Sequence, residues 1–193
     1  MKKLTFSFII LIFLVFLVGC VEKGNPPRSI LTPDENSLPN PVFDEDVQPK
    51  ETTSWQNTPL KDVSSGKSFK ISDFRGKNIL LESFAVWCPV CTKQQKEIQK
   101  LHNDPNLAII ELDTDPNEDE TKVLEHINRN NFKGLYAVAP KSLSDALVDE
   151  FGLGVISAPS APVVLICEDG SSRFLKRGVK KADKLREEIA AGC

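Results

Sequence analysis

The stretch Phe84-Ala85-Val86-Trp87-Cys88-Pro89-Val90-Cys91-Thr92 decides the fold, because it joins an apolar run to a polar, lysine-rich segment. The apolar run from Asn78 to Phe84 has the composition of a buried strand, and the segment after Cys91 has that of a helix. The sequence therefore predicts a strand, a tight turn and a helix, with Cys88 at the turn.

The two cysteines are three residues apart, so on a helical turn their side chains are neighbours, with about 5–6 Å between Cβ atoms. That separation is slightly wider than a disulfide needs, so the pair can open and close with little backbone movement. Cys88 would lie where unpaired N–H groups and the helix dipole favour a thiolate, which is the attacking species. Pro89 would take the first helical position, where its missing N–H costs nothing. Cys91, one turn further, would be shielded and placed to resolve a mixed disulfide on Cys88.

A C-x-x-C pair can also be half of a zinc site. Structural zinc usually requires a second such pair, or histidines at ligand spacing. Here the remaining cysteines and histidines are isolated in the chain: Cys20, Cys167, Cys193, His102 and His126. A pair of buried structural thiols is the other alternative. The strand before the motif and the helix after it favour redox chemistry, with no metal and no organic cofactor.

The segment Trp87-Cys88-Pro89-Val90-Cys91 resembles the active site of the thioredoxin superfamily, and residues 62–77 resemble the lead-in of its TlpA/ResA-like (redoxin) and peroxiredoxin-like branch. The resemblance covers about Trp55 to Ala191. It implies an α/β thioredoxin-like fold, with a central mixed sheet flanked by helices on both faces and an N-terminal β-hairpin extension. It also implies that Trp87 shields the site and that Trp87 and Pro89 contact the substrate.

Glu82 lies six residues before Cys88, the offset at which thioredoxin and DsbA-like proteins hold a buried acid beneath the active-site disulfide. Burial raises the pKa of a carboxyl, so the resemblance implies that Glu82 shuttles the proton that Cys91 must lose. An exposed edge position or a pair with a lysine are the alternatives. Many TlpA/ResA-like relatives lack this acid, so here the chain departs toward thioredoxin itself.

A duplicated Ser-Ala-Pro sequence, residues 157–162, precedes an apolar strand and an Asp169-Gly170 turn. Thioredoxin-like proteins place a cis-proline just before this strand, and Pro162 has the best spacing, with Pro159 as the competitor. The resemblance implies that this kink presents the backbone of the preceding residue, Ala161, to the substrate as an edge-strand partner.

The N-terminus has the pattern of a targeting segment. A basic head precedes a hydrophobic run, residues 4–18, whose ~15 residues fit a signal peptide better than a spanning helix of about 20. The run ends in Leu17-Val18-Gly19-Cys20, which resembles the lipobox of secreted lipoproteins, and implies cleavage before Cys20 and a lipid on its thiol. An uncleaved anchor is the alternative.

The proline-rich, acidic segment that follows cannot bury enough apolar surface to fold alone, although a packed arm is an alternative. We therefore expect a signal peptide at 1–19, a disordered tether at 20–53 and a thioredoxin-like domain at 54–193. The body of the protein would lie outside the cytoplasm, anchored to a membrane through the lipid on Cys20.

Composition narrows the functions further. The chain has 193 residues, 40% of them hydrophobic, and a formal net charge of −3, which suits one domain with a real core and argues against nucleic acid as a partner. Five cysteines are too few for a disulfide scaffold. Cys167 is expected to be an inert buried thiol, and Cys193 an incidental thiol at a frayed terminus or an intermolecular bridge.

The predicted order of elements is β-β-β-α-β-α-β-α-β-β-α. It begins with strands over Trp55 to Val63 and Ser68 to Ile71. The later helices are expected from Pro89 to His102, from Asn117 to Asn130, from a cap at Ser142 or Ser144 to Phe151, and from Lys180 to Ala191. The remaining strands are expected at 78–84, 107–112, 135–139, 163–167 and 172–179.

The sequence thus predicts a membrane-tethered thiol–disulfide oxidoreductase that acts on disulfide- or dithiol-containing proteins and exchanges electrons with an upstream membrane donor or acceptor. Val90 offers Cys88 no hydrogen bond or charge, and TlpA/ResA-like lipoproteins typically act as reductants, which favours reduction over oxidation. Two alternatives remain. A peroxiredoxin-like peroxidase would need a threonine three residues before its reactive cysteine, where Ala85 or Cys88 stands. The other alternative is a non-catalytic metal carrier that uses Cys88 and Cys91.

Overall fold

The computed structural model describes residues 54–193. Cys20, the signal peptide and the tether predicted from the sequence lie outside these residues. The observed elements follow the predicted order. They are β1 (Leu60–Lys61), β2 (Ser68–Phe69), β3 (Asn78–Phe84), α1 (Pro89–Gln99), β4 (Leu107–Asp113), α2 (Glu120–Asn130), β5 (Leu135–Val138), α3 (Lys141–Phe151), β6 (Val163–Ile166), β7 (Ser172–Phe174) and α4 (Ala182–Ala191).

The core of the fold is a five-stranded mixed sheet of order β5-β4-β3-β6-β7. The pairs β3–β4 and β4–β5 are parallel, and β6 is antiparallel to both β3 and β7. Strand β3 is central, because its apolar residues face both sides: Ile79 and Leu81 pack on one face, and Leu80 and Phe84 on the other.

Helices cover both faces of this sheet. Side chains of α3 pack against Ile79 and Leu81 together with the β1–β2 hairpin, which is the predicted N-terminal extension. Side chains of α1, α2 and α4 pack on the opposite face. Because α1 follows β3 directly, the turn at Cys88 lies at the carboxyl end of the central strand. The predicted α/β thioredoxin-like fold is confirmed.

Several predicted boundaries are wrong. The expected strand at Trp55 to Val63 is a 3-10 helix over Ser54–Asn57 followed by the short β1. The 3-10 turn lets Trp55 bury its indole against Phe151, with the ring N–H donating to Glu150 at 2.5 Å. The second strand stops at Phe69, because Ile71 already begins another 3-10 turn.

The helix starts were also misplaced. Helix α3 begins at Lys141 with Pro140 at its N-cap, so neither Ser142 nor Ser144 caps it. Helix α2 begins only at Glu120, because the Asp119 side chain caps it by accepting the Lys122 N–H at 2.9 Å. Helix α4 begins at Ala182 rather than Lys180, and β7 ends at Phe174 rather than Val179.

Candidate active site

Cys88 is the N-cap of α1, and Pro89 is its first residue, as expected. The Cys88 sulfur accepts the Cys91 backbone N–H at 3.2 Å, so its side chain satisfies one of the unpaired donors at the helix start. Both thiols are unbonded and their sulfurs lie 2.7 Å apart. The first turn of α1 thus holds the two sulfur atoms close together, and little movement separates the dithiol from a disulfide.

Both cysteines are covered. Cys88 is 1% exposed and Cys91 is fully buried, among Phe84, Ala158 and the inward side chains of α2. The Cys91 thiol donates to the Ala158 carbonyl at 3.0 Å. Burial raises the pKa of the Cys91 thiol, and its hydrogen bond with Cys88 and the nearby Glu82 charge raise it further. The Cys91 thiol therefore holds its proton more tightly than a free cysteine does.

Glu82 is completely buried on β3, on the face covered by α1. Burial raises its pKa well above the ordinary value, the Glu111 charge raises it further, and the Lys180 ammonium lowers it. Glu82 therefore lies in the interior beneath the cysteines, as expected from the sequence, and its surroundings favour the protonated form of its carboxyl.

Lys180 was not singled out from the sequence. Its ammonium donates to the carbonyls of Ala161, at 3.0 Å, and Gly178, at 2.6 Å. Burial lowers its pKa to about 8, against the opposing effect of Glu82 and Glu188. Lys180 thus brings a positive charge to the buried acid from the loop ahead of α4.

Gln94 on α1 fixes the backbone of Lys180. Its side-chain oxygen accepts the Lys180 N–H at 2.7 Å, and its amide donates to the Lys180 carbonyl at 3.2 Å. Gln94 is itself fully buried. This double hydrogen bond couples the cysteine-bearing helix to the loop whose lysine holds Ala161.

Pro162 lies immediately before β6, and its carbonyl accepts the Ser83 N–H at 3.3 Å beside Glu82. Ala161 is buried in a left-handed conformation, with φ at 47°. Its N–H donates to Ala158 and its carbonyl accepts from Lys180. Both backbone groups of Ala161 are used internally, so the predicted pairing of Ala161 with a substrate requires those bonds to open.

Trp87 is 59% exposed, and its indole N–H donates to Asp115 at 2.6 Å. It borders a groove of about 310 Å³ whose lining is mostly apolar or small: Ala85, Trp87, Thr114, Asp115, Pro116, Ile156, Ser157, Ala158 and Pro159. This groove adjoins the carbonyl that binds Cys91, and it includes Pro159, the competing proline. The structure leaves the substrate-binding roles of Trp87, Pro89, Ala161 and Pro162 as predictions.

The expectation for Cys167 and Cys193 is wrong, because the two form a disulfide with Cα atoms 6.0 Å apart. The Arg173 side chain on β7 helps to bring the two cysteines together. It donates to the Gly192 carbonyl at 2.7 Å and to the Glu188 carboxylate at 2.9 Å, and these bonds hold the end of α4 against β7. The C-terminus is therefore fixed. It lies at the end of the sheet opposite Cys88, because β6 runs antiparallel to β3.

Within residues 54–193, none of the helices combines the length and the hydrophobicity that a membrane span requires. No group of three or more histidine, cysteine, aspartate or glutamate side chains among the same residues is arranged to hold a metal ion.

Comparison with known proteins agrees with this geometry. A curated relative, the thiol-disulfide oxidoreductase ResA of Bacillus thuringiensis subsp. konkukian, is 25% identical over 127 residues, which cover 64% of this chain and 68% of the relative. The fold is similar to a secreted disulfide oxidoreductase of Mycobacterium tuberculosis, with a TM-score of 0.58, 17% identity, and 72% and 98% of the two chains covered. It is also similar to StoA of Bacillus subtilis, with a TM-score of 0.53, 22% identity, and 67% and 93% covered.

The Redoxin family model matches residues 41–191, which is most of the chain. The match includes the cysteine pair, the strand that carries Glu82 and the loop that carries Lys180. Two free thiols at the start of a helix, over a buried acid, form a candidate redox site, and both the curated relative and the solved structure are named as disulfide oxidoreductases. The chain is an oxidoreductase of thioredoxin-like fold, and it belongs to the Redoxin family.

Proposed function

We propose that the chain is a membrane-tethered, extracytoplasmic thiol–disulfide oxidoreductase that reduces disulfides in protein substrates. The observation that carries this proposal is the placement of two unbonded thiols 2.7 Å apart at the first turn of α1, with a buried carboxyl nearby. A dithiol held this way delivers two electrons and becomes a disulfide without rearrangement of the fold.

The reaction proceeds in two exchanges. The Cys88 thiolate attacks one sulfur of the substrate disulfide, and the other substrate sulfur leaves with the electron pair and takes a proton. Cys91 then loses its proton to Glu82 and attacks Cys88, which releases the second substrate thiol and leaves the Cys88–Cys91 disulfide. A membrane electron donor would return the pair to the dithiol.

The reductant direction is supported by the residues between the cysteines. Neither Pro89 nor Val90 carries a side-chain donor or charge, so neither stabilises the Cys88 thiolate that a strong oxidant requires. Titration of the pair against glutathione and dithiothreitol measures the reduction potential. A value near that of DsbA, about −120 mV, would contradict the reductant role.

The extracytoplasmic location is supported by the Cys167–Cys193 disulfide, which is separate from the active-site pair, because structural disulfides persist mainly in oxidising compartments. The proposal of a lipid tether is supported by the lipobox-like sequence that ends at Cys20. Mass spectrometry of the mature N-terminus tests it, and a Cys20→Ala variant that remains in the membrane fraction would contradict it.

Insulin reduction tests the activity itself. Wild type should precipitate the insulin B chain in the presence of dithiothreitol, and Cys88→Ser should not. If Cys88→Ser keeps wild-type activity, the dithiol mechanism is wrong. Peroxide consumption by the wild type with a thiol donor would instead support the peroxidase alternative.

A further inference from the structure

Three polar side chains form a row across the parallel strands beneath α1 and α2. Glu82 on β3 pairs in register with Glu111 on β4, and Glu111 pairs with Tyr136 on β5. Directly paired residues project to the same side of a sheet, so all three side chains lie on the side that α1 and α2 cover. All are fully buried, and neither the four carboxyl oxygens nor the tyrosine hydroxyl has a partner in hydrogen-bond geometry.

Two carboxyls placed side by side in the interior cannot both carry a charge without a large penalty. Burial raises the pKa of Glu111, as it does that of Glu82. The two acids differ in their neighbours, because the Glu111 charge raises the pKa of Glu82, whereas Gln95 and Glu82 itself lower that of Glu111. The pair therefore titrates as one unit, in which one carboxyl can hold a proton while the other is ionised.

We propose that Glu111 is the second half of the proton acceptor, so that Glu82 passes its own proton to Glu111 as it takes the thiol proton of Cys91. This inference rests on the proposed function. The pair goes from one proton to two, and the Cys91 thiolate forms the bond to Cys88. The substrate sulfur leaves with the electron pair of the broken bond and is protonated from solvent. Glu111 acts through Glu82 and is a positioning residue.

The groups around the pair fit this role. Cys88 and Cys91 face Glu82 from α1, and Lys180 faces it from the loop ahead of α4. The Lys180 ammonium favours the state in which the two acids share one negative charge, which is the state able to accept a proton.

The far end of the row leads toward the surface. Gln95 of α1 approaches Glu111 and bonds His126 of α2 at 2.8 Å, and the half-buried Asn130 lies 3.4 Å from the other ring nitrogen of His126. Burial and the Arg129 charge lower the pKa of His126, so its ring is neutral at pH 7 and adds no competing charge. A proton taken up by the pair thus has a line of polar groups toward solvent.

The test uses Glu111→Gln, which keeps the shape and removes the acid. Reduced protein is mixed with oxidised glutathione, quenched with an alkylating agent, and the Cys88–glutathione mixed disulfide is counted by mass spectrometry. The carboxyl of Glu82 is titrated by carbon NMR in wild type and variant. We expect formation of the mixed disulfide at the wild-type rate. We also expect its resolution at pH 7 to be at least about tenfold slower, and the pKa of Glu82 to fall by about one unit or more.

Glu111→Asp restores a carboxyl and should recover part of the resolution rate. Asp62→Asn is the matched control, because Asp62 is a buried acid whose side chain accepts the backbone N–H groups of Ser65 and Tyr136 and does not contribute to the pKa shift of Glu82. It should lower stability and leave both readouts unchanged. If Glu111→Gln leaves either the resolution rate or the Glu82 titration at its wild-type value, the proposal is wrong.

Two further results keep the test decisive. Should Glu111→Gln not fold, the wild-type titration alone decides, since the proposal requires Glu82 and Glu111 to titrate together and independent single-step curves overturn it. Insulin reduction by Cys88→Ser tests the proposed function separately from the role of Glu111. If Cys88→Ser reduces insulin, the proposed function is wrong. If only Glu111→Gln behaves like wild type, the proposed function stands and the role of Glu111 is wrong.

Discussion

The Cys167–Cys193 bridge allows a quantitative prediction. The cysteines are 26 residues apart, and the loop between them contains β7 and α4. Closing a loop of this length removes chain entropy from the unfolded state that corresponds to about 3.5 kcal/mol at 25 °C. Cys193→Ser should lower the free energy of unfolding by about this amount, which for a domain of this size lowers Tm by about 12 °C.

The folded state should survive this change. Helix α4 keeps the buried Leu185 and the bonds from Arg173 to Gly192 and Glu188. Insulin reduction should also be retained, because the bridge lies at the opposite end of β3 from Cys88, roughly 20 Å away at the usual rise per strand residue.

Urea unfolding followed by circular dichroism measures the loss. Cys167→Ser and the variant that carries both substitutions complete a double-mutant cycle. All three variants should lose the same free energy of unfolding, because each of them lacks the same disulfide bond. Two results would refute the reasoning: a urea midpoint for Cys193→Ser equal to that of wild type, or additive losses for the two single variants.

Further predictions concern the active site. Glu82→Gln should slow resolution of the glutathione mixed disulfide by about 10²-fold, measured by quench and mass spectrometry, and a wild-type rate would remove Glu82 from the mechanism. Because the folded pKa of Glu82 is raised above 4.5, its favourable contribution to stability is lost as pH rises through the folded pKa. Urea unfolding at pH 5 and pH 8 should therefore show that the free energy of unfolding of Glu82→Gln rises relative to that of wild type at the higher pH, and a difference that stays constant between the two pH values would contradict this. Lys180→Met leaves two carbonyls without their donor and should cost about 1–3 kcal/mol, while a stability equal to wild type would show those bonds to be dispensable. Trp87→Ala should change stability by less than about 0.5 kcal/mol yet raise KM for insulin, and an unchanged KM would exclude Trp87 from substrate binding.

Local chemistry accounts for the parts of the site that were predicted. Cys88 at the N-cap, Pro89 at the start of α1 and an acid six residues upstream are properties of a continuous segment. Their geometry follows from strand and helix periodicity, whatever lies elsewhere in the chain. The prediction that Ser142 or Ser144 caps α3 was wrong for a local reason as well. Pro140 already has the backbone conformation that a helix start needs, so the helix begins before either serine.

Among the residues that sequence analysis missed, Glu111 had the clearest signal in the sequence. An acid in the apolar run Leu107–Asp113 is as unusual as Glu82 in its own strand. Only the register of β3 against β4 shows that the two acids lie side by side, and register depends on how helices and strands pack across the whole sheet.

The sequence by itself determined the order of elements, the central strand and the placement of the Cys88–Cys91 pair, because each is encoded by hydrophobic periodicity or by residues within one turn of each other. Tertiary structure alone decided which distant groups meet. It brought Glu111 beside Glu82, the Lys180 ammonium to the Ala161 carbonyl, and Cys193 to Cys167. These contacts join residues that are 19 to 29 positions apart along the chain, and no local pattern specifies such closures.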